Sequence, residues 1–144
     1  MELWFSELHT PNVKFSIKVD RQLYAGRSEF QRIDIFDSKE FGRFLTLTEK
    51  DEFIYHEMIT HVPLCVNPDV RDVLVIGGGD GGTVRELVRY PGIRHIDLVE
   101  IDELVVEVCR KYLPQTTGGL SDARVAIHYE DGLKFVRHAK DAYD

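Results

Sequence analysis

The chain has 144 residues, enough for one ordinary domain or for a small domain joined to part of a larger one. With 43% apolar and 30% charged residues, its composition is that of a folded globular protein and excludes a disordered one. Twenty-five acids against 18 bases leave a net charge of −7, which argues against a nucleic-acid binder and suits either a cationic ligand or plain solubility. No apolar run approaches the roughly 20 residues that span a bilayer. The opening "MELWFSELHT" carries acids where a signal peptide would carry bases. Cys65 and Cys109 lie far apart, in apolar contexts and in no metal or redox spacing. Both are expected as buried free thiols in a reducing cytoplasm.

Two styles of sequence meet near residue 50. "VKFSIKVD" alternates, with Val13, Phe15, Ile17 and Val19 on one face, and predicts a half-buried strand. "FQRIDIF" repeats the pattern with Gln31, Ile33 and Ile35, and "RFLTLT" is a third candidate. Residues 1–50 therefore read as a small antiparallel β domain. Thr48 and Asp51 have capping-box-like spacing ahead of "DEFIYHEMITHV". That helix carries a stripe of Ile54, Tyr55, Met58, Ile59 and Val62, puts Glu52, His56 and Thr60 on another face, and is expected to end at Pro63.

From Asp72 the pattern is strand, helix, strand, helix, strand, helix. "DVLVIGG" is apolar enough for a strand buried on both faces. A helix with Val84, Leu87 and Val88 follows and stops at Pro91-Gly92. Then come "HIDLVEID", the helix "ELVVEVCRKYL" closed by Pro114, "RVAIHYEDG", and the start of a third helix at "LKFVRHA". Residues 51–144 thus form the first half of a doubly wound α/β sheet. A fourth strand, expected beside the first, would begin at "DAYD". Without it "VLVIGG" is a bare apolar edge, so an N-terminal piece of a longer protein is expected.

Ligands of such sheets bind outside the C-terminal ends of the strands. The first strand delivers "GGGDGG", in which Gly77, Gly79 and Gly82 have G-x-G-x-x-G spacing and Gly78 and Gly81 complete a glycine-rich turn. The second delivers Glu100, 18 residues beyond Gly82, where a carboxylate can accept bonds from both hydroxyls of a ribose. The third delivers Asp131 and Gly132; Asp131 either accepts a bond from the exocyclic amine of a base or caps the next helix. Asp80 sits inside the glycine loop. Beside a bound pyrophosphate its charge would cost on the order of several kcal/mol. A ligand with a ribose, a positive charge and no phosphate has the opposite preference, as S-adenosylmethionine and its relatives do. The alternative is an Asp80 that faces solvent or caps the helix.

"GGGDGGTVREL", "LVEID", "EKDEFIYHEM" and "YEDG", in this order and spacing, resemble the bacterial spermidine synthases, members of the polyamine aminopropyltransferases. The resemblance runs from "ELWFSE" to "AYD". It implies an N-terminal β domain followed by a Rossmann-like, methyltransferase-type domain. It also implies transfer of the aminopropyl group of decarboxylated S-adenosylmethionine to putrescine, giving spermidine and methylthioadenosine. No resident cofactor or metal is implied, since the decarboxylated compound is a co-substrate. At matching positions Gln31 would contact the nucleoside from the β domain. Tyr55 and His56 would line the polyamine site, and Asp80 would bind the amine of the aminopropyl chain. Glu100 would hold the ribose, and Asp131 with Gly132 the adenine. A cytoplasmic homo-oligomer, dimer or tetramer, is implied, with no nucleic acid or membrane partner.

Two departures stand out. The family's catalytic acid lies on the strand after "YD", past Asp144, so the 144 residues alone are expected to be inactive, and Asp144 matches a structural aspartate. The stretch "FGRFLTLTEKDEF" is several residues shorter than the hairpin the family carries there. Competing readings are a methyltransferase acting with intact S-adenosylmethionine, a dinucleotide oxidoreductase, and a non-catalytic ligand-binding or oligomerising fragment. Asp80 opposes the first two.

Overall fold

The computed structural model describes residues 2–46, 52–139 and 142–144, and within them the side chains of all but His9, Glu52 and Phe53. The chain divides into two compact units, Met1–Lys50 and Asp51–Asp144.

In the first unit β1 (Leu3–Thr10) pairs antiparallel with β2 (Val13–Val19). A second antiparallel sheet has the order β3 (Arg21–Arg27), β4 (Arg32–Ser38), β5 (Gly42–Leu45). Phe5, Phe36 and Phe44, with ring centroids 5.4–6.3 Å apart, join the two sheets. Such tilted and edge-on ring pairs stabilise beyond the area they bury. The centre of this unit is β4, where Ile33 and Ile35 are fully buried. Gln31 stands just before that strand. Its carbonyl accepts from Ser28 N (2.9 Å) and its N–H donates to Ser28 Oγ (3.1 Å). The expected strand over 13–20 forms, but its apolar face is only partly covered: Val19 is buried whereas Val13 and Phe15 are exposed. β1 and β3 were not legible, because "LWFSELHT" and "RQLYAGR" do not alternate. The third expected strand is shorter than predicted, and its last residues, with the Thr48–Asp51 capping box, lie outside the described residues.

The second unit opens with α1 (Glu52–Val66). Pro63 lies inside this helix and does not end it. A proline at this position removes one backbone bond, but burial of Leu64 in the core holds the last turn, and Asn67 N still donates to Pro63 O (2.9 Å). The buried face of α1 is that of His56, Thr60 and Leu64, while the apolar stripe of Ile54, Tyr55, Met58, Ile59 and Val62 is exposed within this unit. Cys65 is exposed as well, against expectation, since it follows Leu64 on the outward side of the same turn; Cys109 is buried.

Three parallel strands follow in the order β6 (Asp72–Ile76), β7 (His95–Glu100), β8 (Val125–Tyr129). They are linked through α2 (Gly82–Leu87), α3 (Glu103–Tyr112) and the one-turn α4 (Pro114–Thr117) with a 3-10 turn, and α5 (Gly132–His138) follows β8. Pro114 thus closes α3 by starting a new turn. The register puts Val73, Ile96 and Val125, then Val75, Leu98 and Ile127, on one face. That face packs on Leu64, Val84, Leu87 and Val106 from the helices. The central β7 is buried from Ile96 to Glu100, whereas β6, expected to be covered on both faces, is half-buried and ends at an exposed Ile76, because it is an edge of the three-stranded sheet. Residues 142–144 begin to run along that edge: Asp144 N donates to Asp72 O (3.2 Å), and Asp144 Oδ2 accepts from the N–H of Arg71 (2.6 Å) and Asp72 (3.0 Å). Arg124 ties the loop before β8 to the end of α2, donating to the carbonyls of Val88 (2.6 Å), Tyr90 (2.9 Å) and Ile93 (3.2 Å).

Candidate functional site

The three parallel strands end side by side, and each hands over to a helix at the same end of the sheet. The β6 ladder extends one residue further, Gly77 N donating to Val99 O (2.8 Å), before the chain turns back on itself. Gly77, Gly78 and Gly81 have φ of 76°, 90° and 81°, a region that favours glycine. The turn is closed by Gly81 N donating to Gly78 O (2.9 Å).

Gly79 and Gly82 are required for a different reason, close approach. A Cβ on Gly79 would meet Glu100 Cγ at 3.0 Å and Glu100 Oε2 at 3.1 Å. A Cβ on Gly82 would overlap the His56 ring at 2.2 Å. The loop therefore seats two side chains against its backbone: Glu100 from the end of β7 and His56 from α1. Glu100 is 8% exposed and is held by two backbone N–H groups, Gly79 N to Oε2 (3.0 Å) and Asp102 N to Oε1 (3.1 Å). Each oxygen retains acceptor capacity, as a hydroxyl pair requires.

Asp80 is also 8% exposed. Its Oδ1 accepts from Gly82 N (3.2 Å) at the start of α2, and its Oδ2 lies 3.4 Å from His56 Nε2. The carboxylate thus serves the helix start with one oxygen and faces His56 with the other. Tyr55 is exposed and stands edge-on to His56, ring centroids 5.3 Å apart.

Asp131 caps α5 through Oδ1, which accepts from Leu133 N (2.8 Å) and Lys134 N (3.4 Å). A Cβ on Gly132 would meet Ile76 Cγ2 at 2.5 Å, so the loop after β8 reaches across to the end of β6. Asp80 and Glu100 thus stand with His56 at the glycine turn, and Asp131 and Gly132 lie at the same end of the sheet, beside Ile76. Gln31 belongs to the other unit.

Sequence reasoning missed three members of this region. Cys109 is fully buried on α3, and its thiol is pushed up to about 12 by burial and then by the charges of Asp80 and Glu100. Both carboxylates therefore act on one point behind the loop, and the thiol stays neutral. Ile101 (45% exposed) and Leu133 (75% exposed) present apolar surface beside Glu100 and Asp131. Nothing local in the sequence marks them, because each reads as an ordinary core residue until the strand ends are placed.

Two family profiles match the chain: a spermine/spermidine synthase domain over residues 52–144 and a spermidine synthase tetramerisation domain over residues 3–50. Among curated proteins, a polyamine aminopropyltransferase of Alkaliphilus oremlandii is 65% identical over 150 aligned positions, covering all of this chain and 53% of the relative. One from Clostridium perfringens is 64% identical with the same coverage. The alignments are six positions longer than the chain, and the chain spans about half the length of the curated relatives it matches. Among solved structures, spermidine synthase from Thermotoga maritima matches 94% of this chain and 50% of its own, at 44% identity and a TM-score of 0.89. A spermidine synthase in complex with the transition-state analogue AdoDATO matches equally broadly, at 44% identity and a TM-score of 0.90.

Proposed function

We propose, because the chain belongs to the spermine/spermidine synthase family, that it forms the donor-binding part of an aminopropyltransferase that makes spermidine from putrescine and decarboxylated S-adenosylmethionine. The observation that carries this reading is Asp80: a nearly buried carboxylate in the glycine loop, facing His56 at 3.4 Å. Such a loop repels a phosphate and attracts a cation. Decarboxylated S-adenosylmethionine brings a sulfonium and a primary ammonium and has lost its carboxylate, so Asp80 gains a charge-assisted bond where the intact compound would bring a second anion. Glu100 takes the ribose hydroxyls. Asp131, already a helix cap through Oδ1, offers Oδ2 to the adenine amine, with Gly132, Ile101 and Leu133 around the base.

In the reaction the lone pair of a neutral putrescine nitrogen forms the new N–C bond at the carbon next to sulfur. The C–S bond breaks, its electrons go to sulfur, and methylthioadenosine leaves. The acceptor amine is protonated in water, so a carboxylate must hold it and take its proton. The resemblance puts that acid on the strand after Asp144. Asp144 itself accepts the N–H groups of Arg71 and Asp72 and has a structural duty. Tyr55 and His56 line the acceptor side, His56 as a hydrogen-bond partner, and the fixed orientation of two cations in one acidic crevice supplies much of the rate. No resident cofactor enters the scheme.

The first unit matches a tetramerisation domain, which supports an oligomer; we assign a dimer or tetramer built through it. No described helix is long and apolar enough to cross a membrane. We place the protein in the cytoplasm, where its small-molecule substrates occur, without nucleic acid or membrane partners. Calorimetry tests the reading. Decarboxylated S-adenosylmethionine is expected to bind at least tenfold more tightly than the intact compound, the factor that about 1.4 kcal/mol carries. Equal affinities, or tighter binding of the intact compound, would favour a methyltransferase.

A further inference from the structure

α1 is held against α2 at two points, five residues apart on α1 and four on α2. At the start of α2, the His56 ring lies on Gly82 and faces Asp80. Toward its end, His61 is clasped on both ring nitrogens: Nδ1 lies 2.7 Å from the Tyr90 hydroxyl and Nε2 lies 3.3 Å from Glu86 Oε2. The two helices run in the same sense, since the earlier residue of α1 meets the earlier residue of α2. Five residues of α1 advance about 7.5 Å and four residues of α2 about 6 Å, so the two contacts share one register. Between them Thr60 adds no grip, because its buried Oγ1 has no hydrogen-bond partner among the described residues.

The second clasp is built to stay fixed. The Glu86 side chain is 5% exposed and accepts from Arg85 Nε (2.7 Å) and from Arg89 Nη1. Burial pushes its carboxyl up, but the bonds and charges of Arg85 and Arg89 outweigh this, and it stays ionised below the ordinary glutamate range. Neither Glu86 nor Tyr90 borders the crevice edge formed by the strand ends.

We propose that Glu86, His61 and Tyr90 are positioning residues: they set the register of α1 on α2 and so hold His56 against Asp80, which fixes the crevice's preference for a ligand that carries an ammonium group. This rests on the reading of Asp80 given above. A purely structural clasp would alter all ligands alike. A positioning clasp alters the ammonium-bearing ligand selectively, because only that ligand uses the Asp80–His56 pair.

The experiment compares the intact chain with Glu86→Gln and Tyr90→Phe. Binding is measured by calorimetry with decarboxylated S-adenosylmethionine and with methylthioadenosine, which lacks the ammonium. In parallel, the magnetisation transfer between the His56 Cε1 proton and the Gly82 α protons is read by nuclear magnetic resonance. In both variants the preference for the decarboxylated compound is expected to fall about tenfold, in line with a lost charge-assisted bond. Methylthioadenosine affinity is expected to stay within about twofold, and the His56–Gly82 signal to weaken. An unchanged preference together with an unchanged signal overturns the proposal, as does an equal loss for both ligands. If the unmutated chain shows no preference, the reading of Asp80 has failed, and the His56–Gly82 signal alone then decides whether the clasp sets the register. Should Glu86→Gln not fold, Tyr90→Phe, which keeps the ring beside His61, carries the comparison.

Discussion

Replacing Asp80 by asparagine removes one charge and little else. Asparagine keeps an oxygen that can accept from Gly82 N, now 3.2 Å from Asp80 Oδ1, so the start of α2 is preserved. What changes is the partner offered to a ligand ammonium. A bond to a charged group contributes about 1.5–3 kcal/mol and a neutral one about 1 kcal/mol, so the substitution costs about 0.5–2 kcal/mol of binding. That corresponds to about two- to thirtyfold in Kd for decarboxylated S-adenosylmethionine. At 8% exposure, screening by water is limited, which favours the upper end. Methylthioadenosine has no ammonium, and its Kd should move by less than about twofold, the ordinary scatter of a neutral substitution. Calorimetry on the same preparations, with thermal unfolding as a control for folding, gives both numbers. Equal losses for the two ligands would refute the reasoning, for Asp80 would then act only on the backbone at the start of α2.

Two further outcomes follow from the geometry. Gly79→Ala places a Cβ within 3.0–3.1 Å of Glu100 and of Val106 Cγ2, so the Glu100 carboxylate proposed to hold the ribose must shift; methylthioadenosine should bind about tenfold more weakly, while Gly92→Ala, with nothing within 4 Å, leaves binding unchanged. On the opposite face of the sheet, buried Asp97 lies beside His95 (3.0 Å), His128 (2.6 Å) and the Tyr143 hydroxyl (2.5 Å). Burial, then the bond to Asp97, pushes the Tyr143 phenol up to about 12. A group whose folded pKa is raised contributes fully below its unfolded value and loses that contribution as pH rises through the folded one. Stability should therefore fall between about pH 10 and pH 12, and Tyr143→Phe should lower stability by about 1 kcal/mol at neutral pH and flatten that fall. Urea midpoints measured across this range check it, and an unflattened fall in the variant would contradict it.

The sequence made the second unit legible because each of its parts has a local signature. The run "DVLVIGG" announces a strand entering a glycine turn, and Glu100 and Asp131 close the next two strands at countable distances from it. Asp80 was legible by charge alone. What stayed hidden depends on contacts between distant residues. That His56 needs Gly82 is invisible because 26 residues separate them. The buried side of α1 was misleading, since the apolar stripe faces outward in this unit and the polar His56–Thr60 side faces α2. Pro63 reads as a stop by local rules, and burial of Leu64 overrides it. In the first unit β1 and β3 lack alternation and are recruited by their neighbours, β2 and β4, rather than by their own pattern.

The central claim is that the glycine loop receives a phosphate-free guest whose ammonium lies on Asp80. A crystal structure of the protein with decarboxylated S-adenosylmethionine tests it most directly. The account predicts the ligand nitrogen about 2.7–2.9 Å from an Asp80 carboxylate oxygen, with both ribose hydroxyls on Glu100. A ligand whose ammonium points to solvent, while the Asp80 side chain turns away from the occupied crevice, would contradict it.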